Sequence, residues 1–142
     1  MIIKQLTVFL ENKKGRLTEV TKILSSNNIN ISALSIADTA DFGLLRMIVD
    51  NPEKAEDTLK RSGFAVHANE VICMIVPDEP GGLYRALEIL TNENISIEYL
   101  YAFSSENKKA SVVIRTDEIQ KTIDVLQKNQ IQLLKSSQLY KL

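Results

Sequence analysis

Two stretches decide how this chain is read: NKKGRLTEVTKILSSNNINISALSIAD (Asn12–Asp38) and DEPGGLYRALEILTNENISIEYLYAFS (Asp78–Ser104). Laid against each other without a gap, they are identical at eight of 27 positions: Gly15/Gly81, Leu17/Leu83, Ile23/Ile89, Leu24/Leu90, Asn28/Asn94, Ile29/Ile95, Ile31/Ile97 and Leu34/Leu100. The shared residues are a glycine at a turn, apolar residues at periodic positions and an Asn-Ile hinge. Two copies of one fold must agree at such places. Further on, Met47-Ile48 lies on Val113-Ile114, and one inserted residue brings Leu59 onto Leu126. The chain therefore reads as two repeats, Met1–Asn69 and Glu70–Leu142. No Gly/Ser-rich linker separates them, which implies packed rather than tethered copies.

Each repeat carries the pattern β-α-β-β-α-β. In the first, Ile3–Leu10 is rich in β-formers, and a helix from Gly15 has the apolar stripe Leu17, Val20, Ile23 and Leu24. In the second, Val71–Val76 is the strand, and Leu83, Ala86, Leu87 and Leu90 form the stripe. Asn28 and Asn94 suit helix ends, since asparagine tolerates the left-handed conformation. Strands follow at Ile29–Ile36 and Leu44–Val49, and at Ile95–Phe103 and Ala110–Arg115. Second helices start at Pro52 and near Asp117; Phe64–Val66 and Ile131–Leu134 close the two repeats. The fold class is α+β, two ferredoxin-like units with strand order 4-1-3-2 and both helices on one face. This order leaves strand 2 at an edge with free backbone groups. Pairing strand 2 with strand 2 would join the antiparallel sheets side by side into one eight-stranded sheet. Strand 2 also changes phase, from Ile29 and Ile31 to Leu34 and Ile36, and repeats the slip at Ile95, Ile97 and Leu100. A bulge, or apolar cover on both faces, accounts for that.

Composition narrows the function classes. With 17 basic and 18 acidic residues the net charge is −1, which invites neither nucleic acid nor an anionic membrane. No stretch is apolar over the ~18–20 residues of a membrane span, and the N-terminus lacks a signal-peptide pattern, so the cytoplasm is the expected compartment. The lone Cys73 reads as a packed core thiol and offers no metal pair or disulfide within the chain. The lone His67 has no second histidine or cysteine partner and reads as a structural or surface residue. No nucleophile with an adjacent base can be assembled, so no enzyme, cofactor or metal is expected. Val71–Val76 is apolar in both phases, and Leu44–Val49 nearly so. Strands with one wet face should alternate. The expectation is an exposed apolar patch on the helix-free face that makes the protein a homodimer.

One loop carries chemistry. In VPDEPGGL (Val76–Leu83) a strand ends in an acid, a proline and two glycines, just where a helix begins. A helix N-terminus presents unpaired N–H groups and attracts anions, and glycine lets a ligand approach the backbone. With Asp78 for an ammonium, the loop could receive a zwitterion, its carboxylate on the helix N–H groups. The competing reading is turn chemistry alone. The first copy keeps Gly15 but places Asn12 at the Asp78 position, among Lys13, Lys14 and Arg16.

The duplicated βαββαβ pattern, the D-E-P-G-G-L loop and the continuations NINI (Asn28–Ile31) and NISI (Asn94–Ile97) resemble the ACT domain, a small regulatory module that binds amino acids. The resemblance covers nearly the whole chain twice and implies a free-standing tandem ACT protein. It implies a small amino acid bound between two units, under one unit's first loop and against strand 2 of the other. That assigns Asn12, Gly15, Arg16 and Leu17 with the strand Glu98–Ala102, and Asp78, Gly81, Gly82 and Leu83 with the strand Ser32–Ile36. Ser35, Ile36, Tyr99 and Tyr101 are thereby candidate walls; for the two tyrosines, sheet packing or a subunit contact is the alternative. The implied role is non-catalytic regulation of amino-acid metabolism, with an enzyme of that metabolism as a further partner. The alternative is a constitutive interaction module or regulatory subunit without a ligand of its own.

Overall fold

In the computed structural model, which describes residues 1–39 and 41–140 (backbone alone at Ser105), the first repeat forms the elements its pattern demands. β1 (Ile3–Glu11) leads to α1 (Arg16–Ser26), β2 (Ile31–Asp38), β3 (Phe42–Val49) and α2 (Pro52–Arg61). The second runs through β4 (Ala65–Pro77), α3 (Gly82–Asn92), β5 (Ile97–Ser105), β6 (Lys109–Thr116) and α4 (Ile119–Lys128), then the single turn α5 (Ser136–Leu139), which the sequence pattern did not announce. The chain divides into two compact units, Lys4–Asn69 with Tyr140, and Met1–Ile3 with Glu70–Leu139.

Local signals start and stop the helices at equivalent places. Gly15 and Gly81 precede α1 and α3 with φ of 88° and 86°, a conformation that glycine adopts without steric cost. Asn28 and Asn94 follow those helices at φ of 57° and 58°, as asparagine permits. At α2, Pro52 occupies the first turn and the Asn51 side chain accepts from the Lys54 N–H, a normal N-cap. The inserted residue of repeat two is pinned by a matched contact. Asp50 accepts from the Asn30 N–H and Asp117 from the Ser96 N–H, both at 3.0 Å.

The phase slip of strand 2 is a bulge in both copies. The register shifts between Ile31 and Ala33, and again between Ile97 and Tyr99. The extra residue keeps the apolar side chains on one face: Ile31, Leu34 and Ile36 lie opposite Val49, Met47 and Leu45, which all belong to one buried core. That core joins Leu6, Val8 and Leu10 to Val20 and Leu24 of α1 and to Ala55 and Leu59 of α2. The second unit repeats it with Ile72, Met74 and Val76 against Ala86, Leu90, Ile123 and Leu126. Each fully buried aliphatic side chain contributes about 1.5–3 kcal/mol.

Two expectations are corrected. Six strands are found rather than eight; β2 pairs with β3 in the first repeat and β5 with β6 in the second, and the two strands do not pair with each other. The count falls because Phe64–Val66 and Val71–Val76, read as separate strands, run on as the single 13-residue β4. The strand expected at Ile131–Leu134 shrinks to a bridge between Leu133 and Met74, flanked by the Ile75 N–H donating to the Gln132 carbonyl and the Leu134 N–H to the Cys73 carbonyl. The order 4-1-3-2 itself is kept in each repeat. The second correction concerns the apolar patch. Val71, Ile72, Cys73 and Met74 are fully buried and Val76 is 4% exposed. The Val71–Met74 stretch of β4 is thus buried on both faces and offers no patch. The large apolar side chains that do reach solvent include Leu34 and Ile36 of β2, at 49% and 46%.

Candidate functional site

The loop between β1 and α1 turns tightly. The Lys13 N–H donates to the Glu11 carbonyl at 2.7 Å, and the Arg16 N–H reaches the Lys13 carbonyl at 3.4 Å. No side chain caps α1, so its first N–H groups face outward unpaired by the loop's side chains. Around them opens a cleft of about 480 Å3 whose lining includes Asn12, Gly15, Arg16, Leu17 and Ile36. That volume suits a small-molecule site. The structure thus brings together five of the candidates of this unit. Ser35 does not join them: one residue before Ile36, it lies opposite Arg46 on the other face of β2.

Charge in this cleft is mostly satisfied from within. Glu11 pairs with Lys13 at 3.1 Å and Arg16 at 3.4 Å, and Arg16 pairs with Glu19 at 3.0 Å. The Lys13 ammonium hydrogen-bonded to Glu11, with Arg16 beyond it, holds the Glu11 carboxyl below its usual range. The Asn12 side chain has no hydrogen-bond partner among the described residues.

The loop between β4 and α3 has the opposite chemistry. Pro77, Asp78, Glu79 and Pro80 precede Gly81, again with no side-chain cap on the helix. The Asp78 N–H donates to the Lys108 carbonyl at 2.8 Å, and the Gly82 N–H to the Glu79 carbonyl at 3.0 Å. These bonds anchor the backbone and leave the exposed Asp78 carboxylate without a hydrogen-bond or ion-pair partner among the described residues. Glu79 turns outward and pairs with Arg85 at 2.8 Å, both side chains more than half exposed. Arg85 is a residue that the motif did not single out; its place on the first turn of the helix, six residues after Glu79, was the available signal.

Gly82 is required for a reason the sequence does not display. A Cβ built on it would lie 2.1 Å from the Pro77 carbonyl oxygen, so α3 begins directly on the end of β4. Leu83, half-buried, packs against the helix-side core. Tyr99 and Tyr101 lie elsewhere in this unit. They stand opposite Arg115 and Val113 in the ladder, out of phase with Leu100, whose partner Ile114 is in that core. They therefore face away from the helices. Among the described residues no group of three or more metal-ligating side chains occurs, and no helix is long and apolar enough to cross a membrane.

Comparisons with known proteins agree with this architecture. Protein BT0572 from Bacteroides thetaiotaomicron is 50% identical, with a TM-score of 0.95 over 100% of this chain and 98% of that one. The regulatory subunit of aspartate kinase from Thermus thermophilus, in a ligand-free form, is 13% identical with a TM-score of 0.66 over 88% and 91% of the two chains. The corresponding subunit from Thermus flavus gives 13% and 0.64 over 89% and 92%. At such identity the last two show a shared fold alone. No curated protein matches the sequence. The model of the family described as "ACT domain pair", a regulatory rather than a catalytic class, matches residues 1–142, and the chain belongs to that family.

Proposed function

We propose that this protein is a non-catalytic amino-acid sensor that modulates an enzyme of amino-acid metabolism in the cytoplasm. The observation that carries the reading is the β4–α3 loop. There an unpartnered Asp78 carboxylate precedes a helix start bared by Gly81 and Gly82, offering opposite charges to the two ends of an α-amino acid. The β1–α1 loop, with Asn12, Gly15, Arg16, Leu17 and Ile36 around one cleft, is the second receptor. Ser35, Tyr99 and Tyr101 lie on the helix-free faces of β2 and β5 and belong to neither receptor. The assembly we infer is a homodimer, supported by the exposed Leu34 and Ile36 of the edge strand β2.

A thermal-shift screen of the common amino acids tests the reading. A ligand at ~100 times its dissociation constant adds about 2.7 kcal/mol, which for a chain of this size raises the melting temperature by several degrees. If no amino acid at millimolar concentration moves the transition, the constitutive interaction module is the better account. Light scattering tests the dimer separately, and a mass near 16.0 kDa across micromolar concentrations would count against it.

A further inference from the structure

A second cleft, of about 420 Å3, opens in the Lys4–Asn69 unit where the end of β1, the start of β3 and the turn after α2 meet. Phe9, Phe42 and Phe64 line it together with Glu11, Arg16 and Asp41. The Phe9 and Phe42 ring centroids are 5.5 Å apart, His67 stands edge-on to Phe9 at 5.5 Å, and the Arg16 guanidinium lies 5.9 Å from the Phe64 ring centre. Three of the chain's four phenylalanines thus converge on one opening. The fold does not demand them, because the second repeat has Ile75, Lys108 and Ile131 at the corresponding positions. Nor are they core residues in the full sense. All three are half-buried, and a ring left partly wet forgoes much of its value to packing.

The charges of this cleft point to the kind of ligand. Arg16 is held by Glu11 and Glu19, and Glu11 is shared with Lys13. The Asp41 carboxylate, alone of the charges lining this cleft, has no ion-pair or hydrogen-bond partner among the described residues. Aromatic faces attract cations through their quadrupole, and an unpaired carboxylate beside them adds a full negative charge. We propose that the cleft binds a small organic cation, an ammonium or guanidinium group on an apolar body, with the charge on Asp41 and the body against Phe9 and Phe42. This site borders the β1–α1 cleft, with which it shares Glu11 and Arg16, but its cation chemistry rests on Asp41 and the phenylalanines and does not depend on the amino-acid reading above.

Three probes of one shape separate the contributions: phenethylammonium, neutral 2-phenylethanol and anionic 3-phenylpropionate. Each is titrated into the full chain at low salt and followed by amide chemical shifts. The expected result is saturable movement of the Phe9, Phe42, Gly63 and Phe64 amides with phenethylammonium, and binding of the other two weaker by about fivefold. Asp41→Asn, a surface change whose unchanged remaining spectrum reports correct folding, should erase that preference, and Asp78→Ala should leave it intact. The proposal is overturned if those amides stay still up to about 10 mM cation, if the neutral or anionic probe binds as tightly, or if Asp41→Asn keeps the preference.

Discussion

The β1–α1 and β4–α3 loops occupy the same place in two copies of one fold, start their helices from the same left-handed glycine, and differ in almost everything else. Gly15 and Gly81 agree within 2° in φ. Around Gly15 stand Lys13, Lys14 and Arg16; around Gly81 stand Asp78, Glu79, Pro80 and Gly82. The first loop pairs its charges through Glu11 and Glu19, whereas the second sends Glu79 out to Arg85 and leaves Asp78 without a partner among the described residues. The turn is also tighter in the second copy, with the equivalent hydrogen bond at 3.0 Å from Gly82 and 3.4 Å from Arg16. The two copies agree in what the backbone needs and differ in the side chains placed around it.

The sharpest test of this difference is to exchange the residue after each glycine. Gly82→Ala forces a Cβ to within 2.1 Å of a backbone oxygen, so the strand end or the helix must move. A loss of about 3 kcal/mol is expected, roughly 10 °C in melting temperature. The reverse change, Arg16→Gly, meets no such barrier and should cost at most about 1 kcal/mol in helix propensity. Equal losses for the two variants would show that the loops are not built differently.

Asp78→Ala comes next in size. If the carboxylate holds the ligand's ammonium, affinity should fall about tenfold or more, since hydrogen bonds to charged groups are worth about 1.5–3 kcal/mol. Asn12→Ala, which removes a neutral group, should cost less at its own site. Calorimetry on both variants decides, and unchanged affinity in a correctly folded Asp78→Ala protein would reduce the acid to a turn residue.

Replacing either left-handed glycine should reveal what the loops share. Gly15→Ala and Gly81→Ala each place a Cβ in a conformation that costs about 1 kcal/mol. Only at Gly81 does the new atom also meet a side chain, the Arg85 guanidinium at 3.0 Å, whose flexible end can yield. Chemical denaturation should therefore give nearly equal losses, with Gly81→Ala slightly larger.

The smallest effect is a difference in pH response. The Glu11 carboxyl is held below its usual value by Lys13 and then Arg16. A depressed carboxylate adds stability above its unfolded value near 4.5, and loses it as pH falls through the folded value. Glu11→Gln should thus be less stable than the parent at neutral pH, with the gap closing as pH falls below 4.5 and through the lowered folded value. The second copy has Pro77 at this position and no counterpart to the effect. Because the group is at the surface, the gap should be small and should shrink with salt. A gap that persists at low pH would remove the carboxylate as its cause.

Much of this was legible from residue order alone, because it rests on local rules that the chain states twice. Glycine before each first helix, asparagine after it, the apolar stripes and the phase slip of strand 2 all follow from backbone preference and periodicity. The matching positions Asn12–Asp38 and Asp78–Ser104 made each signal mutually reinforcing. Other features needed the folded chain. Whether Phe64–Val66 and Val71–Val76 are two strands or one depends on the link between them, His67, Ala68, Asn69 and Glu70, staying extended inside β4. The apolar residues of β4 do not say whether their second face meets solvent or protein; burial of Val71 and Cys73 answers that, and it also pushes the Cys73 thiol up to about 12. Likewise, nothing local says that Phe9, Phe42 and Phe64 share one opening or that Gly82 abuts the Pro77 carbonyl. Periodicity fixes which way a side chain leaves its own element, but what it meets there is set by residues distant in sequence, and only the tertiary structure brings those together.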